Sequence, residues 1–133
     1  MNIYLDSNIV IYFIENPSDW GAKAAGRILD IQSRGEMIFV SDLTRMECRI
    51  RPLRDSNTQL LQEYDSFFQL AGVRVLSISP LACDRAAVIR AALGYKPIDA
   101  LHLASAIEAG CDQFLTNDNR LIGFRELHIE FLS

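Results

Sequence analysis

The apolar residues of this chain fall into short unbroken blocks, and that pattern restricts the fold more than any other feature. Asn2–Leu5, Met37–Val40, Val73–Ile78, Gln113–Thr116 and Leu127–Phe131 are too short for ordinary helices. They are also too continuous for strands with one wet face, and so read as strands buried on both sides. Longer stretches with helical spacing lie between them. Ala25, Ile28, Leu29 and Ile31 mark a helix over Ala22–Ser33, and Arg45–Ile50 a shorter one that Pro52 should break. Leu60, Leu61, Tyr64, Phe67 and Phe68 stripe a helix that begins at Ser56 or Asn57 and stops at Gly72. Ser79-Pro80 opens a helix to Leu93, ended by Gly94; Pro97-Ile98-Asp99 opens another over Ala100–Ala109, ended by Gly110. Asn8–Ile14 fits a helix or a continued strand, and Pro17 ends it. Strands alternating with helices predict an α/β fold: three α/β/α layers around a mostly parallel central sheet of about five strands, with right-handed crossovers.

Composition narrows the class. In 133 residues, 50% hydrophobic and 23% charged, there is material for one folded unit, read here as a single domain over 1–133, and intrinsic disorder is excluded. The longest apolar run, Ile9–Ile14, falls far short of the roughly 20 residues of a membrane span. Met1–Asp6 lacks a basic stretch followed by an apolar one, so no secretory leader is expected. Cys48, Cys83 and Cys111 are odd in number, widely spaced and without a C-x-x-C, which argues against a disulfide framework or structural zinc. A cytoplasmic location with reduced thiols is the expectation. A net charge of −4 does not by itself favour nucleic acid, unless the acids are gathered into one metal-binding pocket.

The acids do gather. In an open parallel sheet, ligands bind beyond the carboxyl ends of the strands. Asp6-Ser7-Asn8 follows the first strand, Ser41-Asp42 and then Thr44 to Glu47 follow the second, and Thr116-Asn117-Asp118-Asn119 follows the fourth; Asp99 opens the helix before it. Each acid has a plainer reading. Asp6 suits a helix N-cap, Thr44-x-x-Glu47 a capping box, Asp99 a helix first turn, and Asn117-Asp118-Asn119 a turn. Their shared rim favours a common purpose. Crowded carboxylates repel, and a hard divalent cation, Mg²⁺ or Mn²⁺, relieves that repulsion with oxygen ligands. Such a pocket positions water against a phosphodiester. Arg45 and Arg49, one helical turn apart, are candidates for RNA phosphates, with a solvated, ion-paired helix face as the alternative. His102, three residues after Asp99, reads as a buried tie between helices rather than a general base, and His128 as structural. Tyr12, Phe13, Phe67 and Phe68 read as core or dimer surface. Neither nucleotide-binding glycine motif is present.

Tyr4 to Tyr12, Lys96-Pro97-Ile98-Asp99-Ala100-Leu101-His102-Leu103-Ala104-Ser105-Ala106 and Leu115 to Leu121 together resemble the PIN-domain family, most closely its VapC-type bacterial toxins. The resemblance covers nearly the whole chain and implies a metal-dependent endoribonuclease. It puts Asp6, Glu47, Asp99 and Asp118 on the family's four acidic positions. Asp6 and Asp99 would be core ligands of Mg²⁺ or Mn²⁺, with Asp118 a further ligand and Glu47 acting through water; Glu47 and Asp118 would hold metal-bound waters or a second ion. Asn8 and Thr116 match polar positions that orient the pocket, with Asn117 a helper. It further implies in-line attack by water leaving a 5′-phosphate and a 3′-hydroxyl, a homodimer, an RNA substrate and a VapB-like antitoxin whose C-terminal segment covers the acidic groove. A housekeeping RNA-processing nuclease of the same family, or a non-catalytic α/β module that binds protein or RNA, are the alternatives.

Overall fold

The computed structural model describes residues 1–133. Five strands alternate with helices along the chain: β1 (Asn2–Leu5), α1 (Ser7–Glu15), α2 (Ser18–Ser33), β2 (Met37–Ser41), α3 (Asp42–Arg54), α4 (Thr58–Phe68), β3 (Val73–Leu76), α5 (Pro80–Leu93), α6 (Pro97–Glu108), β4 (Gln113–Thr116) and β5 (His128–Phe131). A 3₁₀ turn, Asn119–Gly123, lies between β4 and β5. The strand order is β3-β2-β1-β4-β5, and every neighbouring pair is parallel. The expected three layers are therefore present, with a sheet that is wholly rather than mostly parallel. No helix is long and apolar enough to cross a membrane.

The continuous apolar strands follow from this layering. Ile3, Leu5, Ile38, Val40 and Leu115 point to one face, where they pack with Ile9, Val10, Ile28, Ile31, Tyr64 and Phe67 of α1, α2 and α4. Tyr4, Phe39 and Phe114 point to the other, against Ala86 and Ile89 of α5, Leu103 and Ala104 of α6, and Leu121 and Phe124 of the β4–β5 connection. Arg27 of α2 clamps the edge strand through two hydrogen bonds to Glu130, Nε to Oε2 at 2.7 Å and a terminal amino group to Oε1 at 2.9 Å. Cys48 and Cys111 belong to opposite faces of the sheet.

Three local features are settled by the structure, and one of them, Pro52, departs from the sequence reading. Asn8–Ile14 is helical, because Asp6 caps it and the buried Ile9 and Val10 turn toward the sheet. Pro52 does not break α3: it sits buried in the last turn, and the helix continues to Arg54. A proline that late removes one amide bond, while burial of its ring retains the turn. The third feature is the α1–α2 corner, where Asn16 takes a left-handed conformation at φ 50°. There Gly21 passes so close that a Cβ would lie 2.6 Å from the Asn16 Cα. Substitution Gly21→Ala should therefore lower stability by about 1–3 kcal/mol, read as a lower urea midpoint, whereas Gly26→Ala, with open space around it, should not.

Candidate active site

The chain runs outward from β1 through β2 to β3, then returns to place β4 on the other side of β1. The β1–β4 junction is thus the point where strand order reverses, and open parallel sheets bind ligands beyond the carboxyl ends of the strands at such a point. Asp6 stands at the end of β1 and Thr116, Asn117 and Asp118 at the end of β4. Asp99 occupies the first turn of α6, and Glu47 lies one turn further along α3.

Asp6 is the buried member, 8% exposed. It is an N-cap and more: one carboxylate oxygen accepts the Ser7 amide at 2.9 Å, the other the Thr116 hydroxyl at 2.7 Å. Burial pushes its pKa up against the opposing pull of His102, Thr116 and the Ser7 amide, and the charge of Asp99 adds to the rise. Asp99, half-buried, is also raised, first by burial; Arg120 lowers it and Asp118 and Glu47 raise it. The acids therefore feel one another through a poorly screened rim.

Glu47 behaves oppositely. Burial would raise its pKa, but hydrogen bonds from His102 and Ser7 outweigh it and hold the carboxyl below its ordinary value. His102 Nε2 lies 2.6 Å from Oε1, and the Ser7 hydroxyl donates to the same oxygen at 2.7 Å. Glu47 is not the acid of a capping box; that motif is made by Ser41 and Thr44 at the start of α3. Behind His102, Tyr4 Oη sits 2.7 Å from Nδ1 and 2.8 Å from Ser41 Oγ, all three residues buried.

Thr116 joins the two strand ends, since its hydroxyl donates to Asp6 and accepts the Asp118 amide at 3.0 Å. Asn8 Oδ1 accepts the Asn117 amide at 3.4 Å, and Asn117 Nδ2 donates to Tyr12 Oη at 3.0 Å, so the β4 loop is tied to α1. Asp118 caps the 3₁₀ turn and is gripped by the Arg120 guanidinium, which holds its carboxyl below the usual range. The same guanidinium reaches 3.7 Å from Asp99. Arg120 was not singled out from the sequence; a basic residue two positions beyond a rim acid was the available signal.

The structure thus gathers Asp6, Glu47, Asp99, Asp118, Asn8, Thr116 and Asn117 at one rim. Arg49 is instead paired with Asp65 of α4 at 2.6 Å, and Arg45 lies over the Phe68 ring. His102, 1% exposed, ties α6 to its neighbours, and His128 is exposed on the edge strand. Phe67 and Phe68 are in the core. The largest surface depression lies elsewhere, along Phe124–Ile129 beside β5.

A divalent cation fits the chemistry of this donor set: four carboxylates, one buried and two raised in pKa by crowding and burial, with hydroxyl and amide oxygens around them. With Arg120 ion-paired among the acids, no three side chains close on a single point at ligand distance. Asp6, Asp99 and Asp118 are the residues that would hold the ion, and Glu47 would act through water.

Comparison with known proteins agrees with the fold. The VapBC2 complex of Rickettsia felis, solved on a DNA fragment from its promoter, contains a chain matching at a TM-score of 0.78 and 18% identity over 100% of both chains. DNA-bound VapBC of Salmonella typhimurium matches at 0.71 and 20% identity, over 100% of this chain and 99% of that one. VapC20 of Mycobacterium tuberculosis, described as a sarcin–ricin loop cleaving toxin, matches at 0.70 and 15% identity, over 95% and 98%. No curated protein sequence matches. The family model for the PIN domain matches residues 3–127, from the first strand to just before the last, and the chain belongs to the PIN domain family.

Proposed function

We propose that this protein is a metal-dependent endoribonuclease and the toxin of a VapBC-type pair. The observation that carries the reading is the convergence of Asp6, Glu47, Asp99 and Asp118 beyond the β1–β4 junction in a chain of the PIN domain family. A bound Mg²⁺ or Mn²⁺ would supply an activated water and neutralise charge gathering on the phosphate. The chain's own residues do the rest. Asp6 is pre-set by the Ser7 amide and the Thr116 hydroxyl. Asn8 and Asn117 hold the β4 loop so that Asp118 stays beside Asp99. Arg120 balances the charge of Asp118 and lies where an RNA phosphate would approach the acids. Cleavage in this arrangement leaves a 5′-phosphate and a 3′-hydroxyl. That solved structures of the same fold are VapBC complexes supports a VapB-like partner; its seat over the acidic rim, a homodimer and a cytoplasmic setting are further parts of the same proposal.

Induced expression of wild type and Asp99→Asn, with growth followed and total RNA sequenced for new 5′-phosphate ends, tests the reading. Arrest with a few discrete cuts, both lost in Asp99→Asn, is expected. Cuts without arrest would make it a processing nuclease, and no cuts in folded, Mn²⁺-supplied protein would make it a binding module.

Asp6 gives a second expectation. Because burial raises its folded pKa above the unfolded one, ionised Asp6 opposes folding at every pH above that window, and the penalty vanishes below the ordinary carboxylate range. Asp6→Asn should therefore raise the denaturation midpoint of metal-free protein at neutral pH while lowering cleavage by at least ~10²-fold. A variant that is both less stable and fully active would contradict the assignment.

A further inference from the structure

We infer that His102 is a positioning residue that fixes Glu47 at the acidic rim, and that Tyr4 sets its orientation. The inference deepens the nuclease reading and rests on it for the role of Glu47. It rests on a chain of side chains from two strands and two helices, buried up to its outer end. Ser41 ends β2, Tyr4 lies in β1, His102 in α6, and Glu47 in α3 receives the chain at its outer end. Ser41, Tyr4 and His102 are at most 1% exposed, whereas the Glu47 side chain is 33% exposed. A long, half-exposed glutamate would otherwise sample several rotamers.

The proton positions are dictated by the acceptors. A carboxylate only accepts, so with Glu47 in that form Nε2 carries the hydrogen of the 2.6 Å contact. With the hydrogen on Nε2 alone, Nδ1 is an acceptor, and its partner at 2.7 Å is the Tyr4 hydroxyl, which gives its proton there. Tyr4 has one hydroxyl proton, so when it lies on the Nδ1 side the 2.8 Å contact on the far side is made by the Ser41 hydroxyl turned to donate to Tyr4 Oη. Edge-on contact between the Tyr4 and His102 rings, 5.7 Å between centroids at 66°, and stacking of Tyr4 on Phe114 lock both planes. His102 and Ser7 both address Oε1, which leaves Oε2 unengaged for a metal-bound water. Histidine here serves through a carboxylate and does not touch the reacting atoms.

Two measurements test this. Long-range proton–nitrogen NMR spectra of the metal-free wild type should show His102 as the Nε2–H tautomer, a result independent of any metal; an Nδ1–H tautomer would overturn the inference. Titration calorimetry with Mn²⁺ alone should then show His102→Leu weakening binding by roughly 10–100-fold. In a Glu47→Ala background the same substitution should add nothing. Equal losses in both backgrounds would mean that His102 only supports the fold, and would overturn the positioning role. Tyr4→Phe, which deletes one hydroxyl, serves where His102→Leu does not fold: it should weaken Mn²⁺ several-fold in wild type and not in Glu47→Ala, and an unchanged affinity in wild type would count against the chain. Wild type with the Nε2–H tautomer but no Mn²⁺ binding would overturn the nuclease reading and leave the clamp on Glu47 standing.

Discussion

The parallel pairing of β1 with β4 is the constraint on which the acidic rim depends. It sets Tyr4 beside Phe114 and Leu5 beside Leu115, and the amide of Asp6 donates to the Leu115 carbonyl at 2.9 Å. Asp6 and Thr116 are consequently the first residues past the ladder on adjacent strands, close enough for a hydroxyl–carboxylate bond across 110 positions of sequence. A slip of one residue would turn Thr116 to the opposite face and leave Asp6 buried without its partner. Both core clusters enforce the register, because β1 and β4 are buried on both sides.

Onto that junction the fold brings like charges, which is electrostatically unfavourable and is offset by three different means. Asp6 takes hydrogen bonds from an amide and a hydroxyl, Glu47 from an imidazole and a hydroxyl, and Asp118 from a guanidinium. Asp99 has no hydrogen-bond donor of comparable closeness; Arg120 stands 3.7 Å away. The acids thus differ in their availability to a cation. Asp99 is the least committed and Asp118 the most strongly compensated, while Asp6 is rigid and poorly solvated. Perturbed carboxylates gathered at one rim are a signature of chemistry rather than of stability, since apolar residues there would fold more favourably.

Much of this was legible in the amino acids. Unbroken apolar blocks such as Ile3-Tyr4-Leu5 signal strands covered on two sides, and Ser79-Pro80 and Gly94 mark the ends of α5 by local backbone chemistry alone. The rim positions of Asp6, Asp99 and Asp118 followed from topology, because acids just past parallel strands or at a neighbouring helix start share one side of the sheet. Asn8–Ile14 was ambiguous because six consecutive apolar residues carry no period. Pro52 misled because helix-breaking is a local rule, and here burial of the ring in the last turn overrides it. The capping spacing of Thr44 and Glu47 was real as a pattern but empty as a contact: Thr44 serves Ser41 instead.

By itself, then, the sequence determined the class of sheet, the order of its elements and which acids could meet, since these depend on periodicity and on neighbours a few residues apart. The tertiary structure decided which side chain completes which. That Glu47 answers to His102, His102 to Tyr4, and that Arg120 comes within reach of Asp99 as well as its neighbour Asp118, depends on groups placed within about 3–4 Å by packing of several elements. Hydrogen bonds act over that range alone, and ion pairs are strongest within it. Only the closed fold, which sets the distance between residues 55 or 98 apart in the chain, can select those partners.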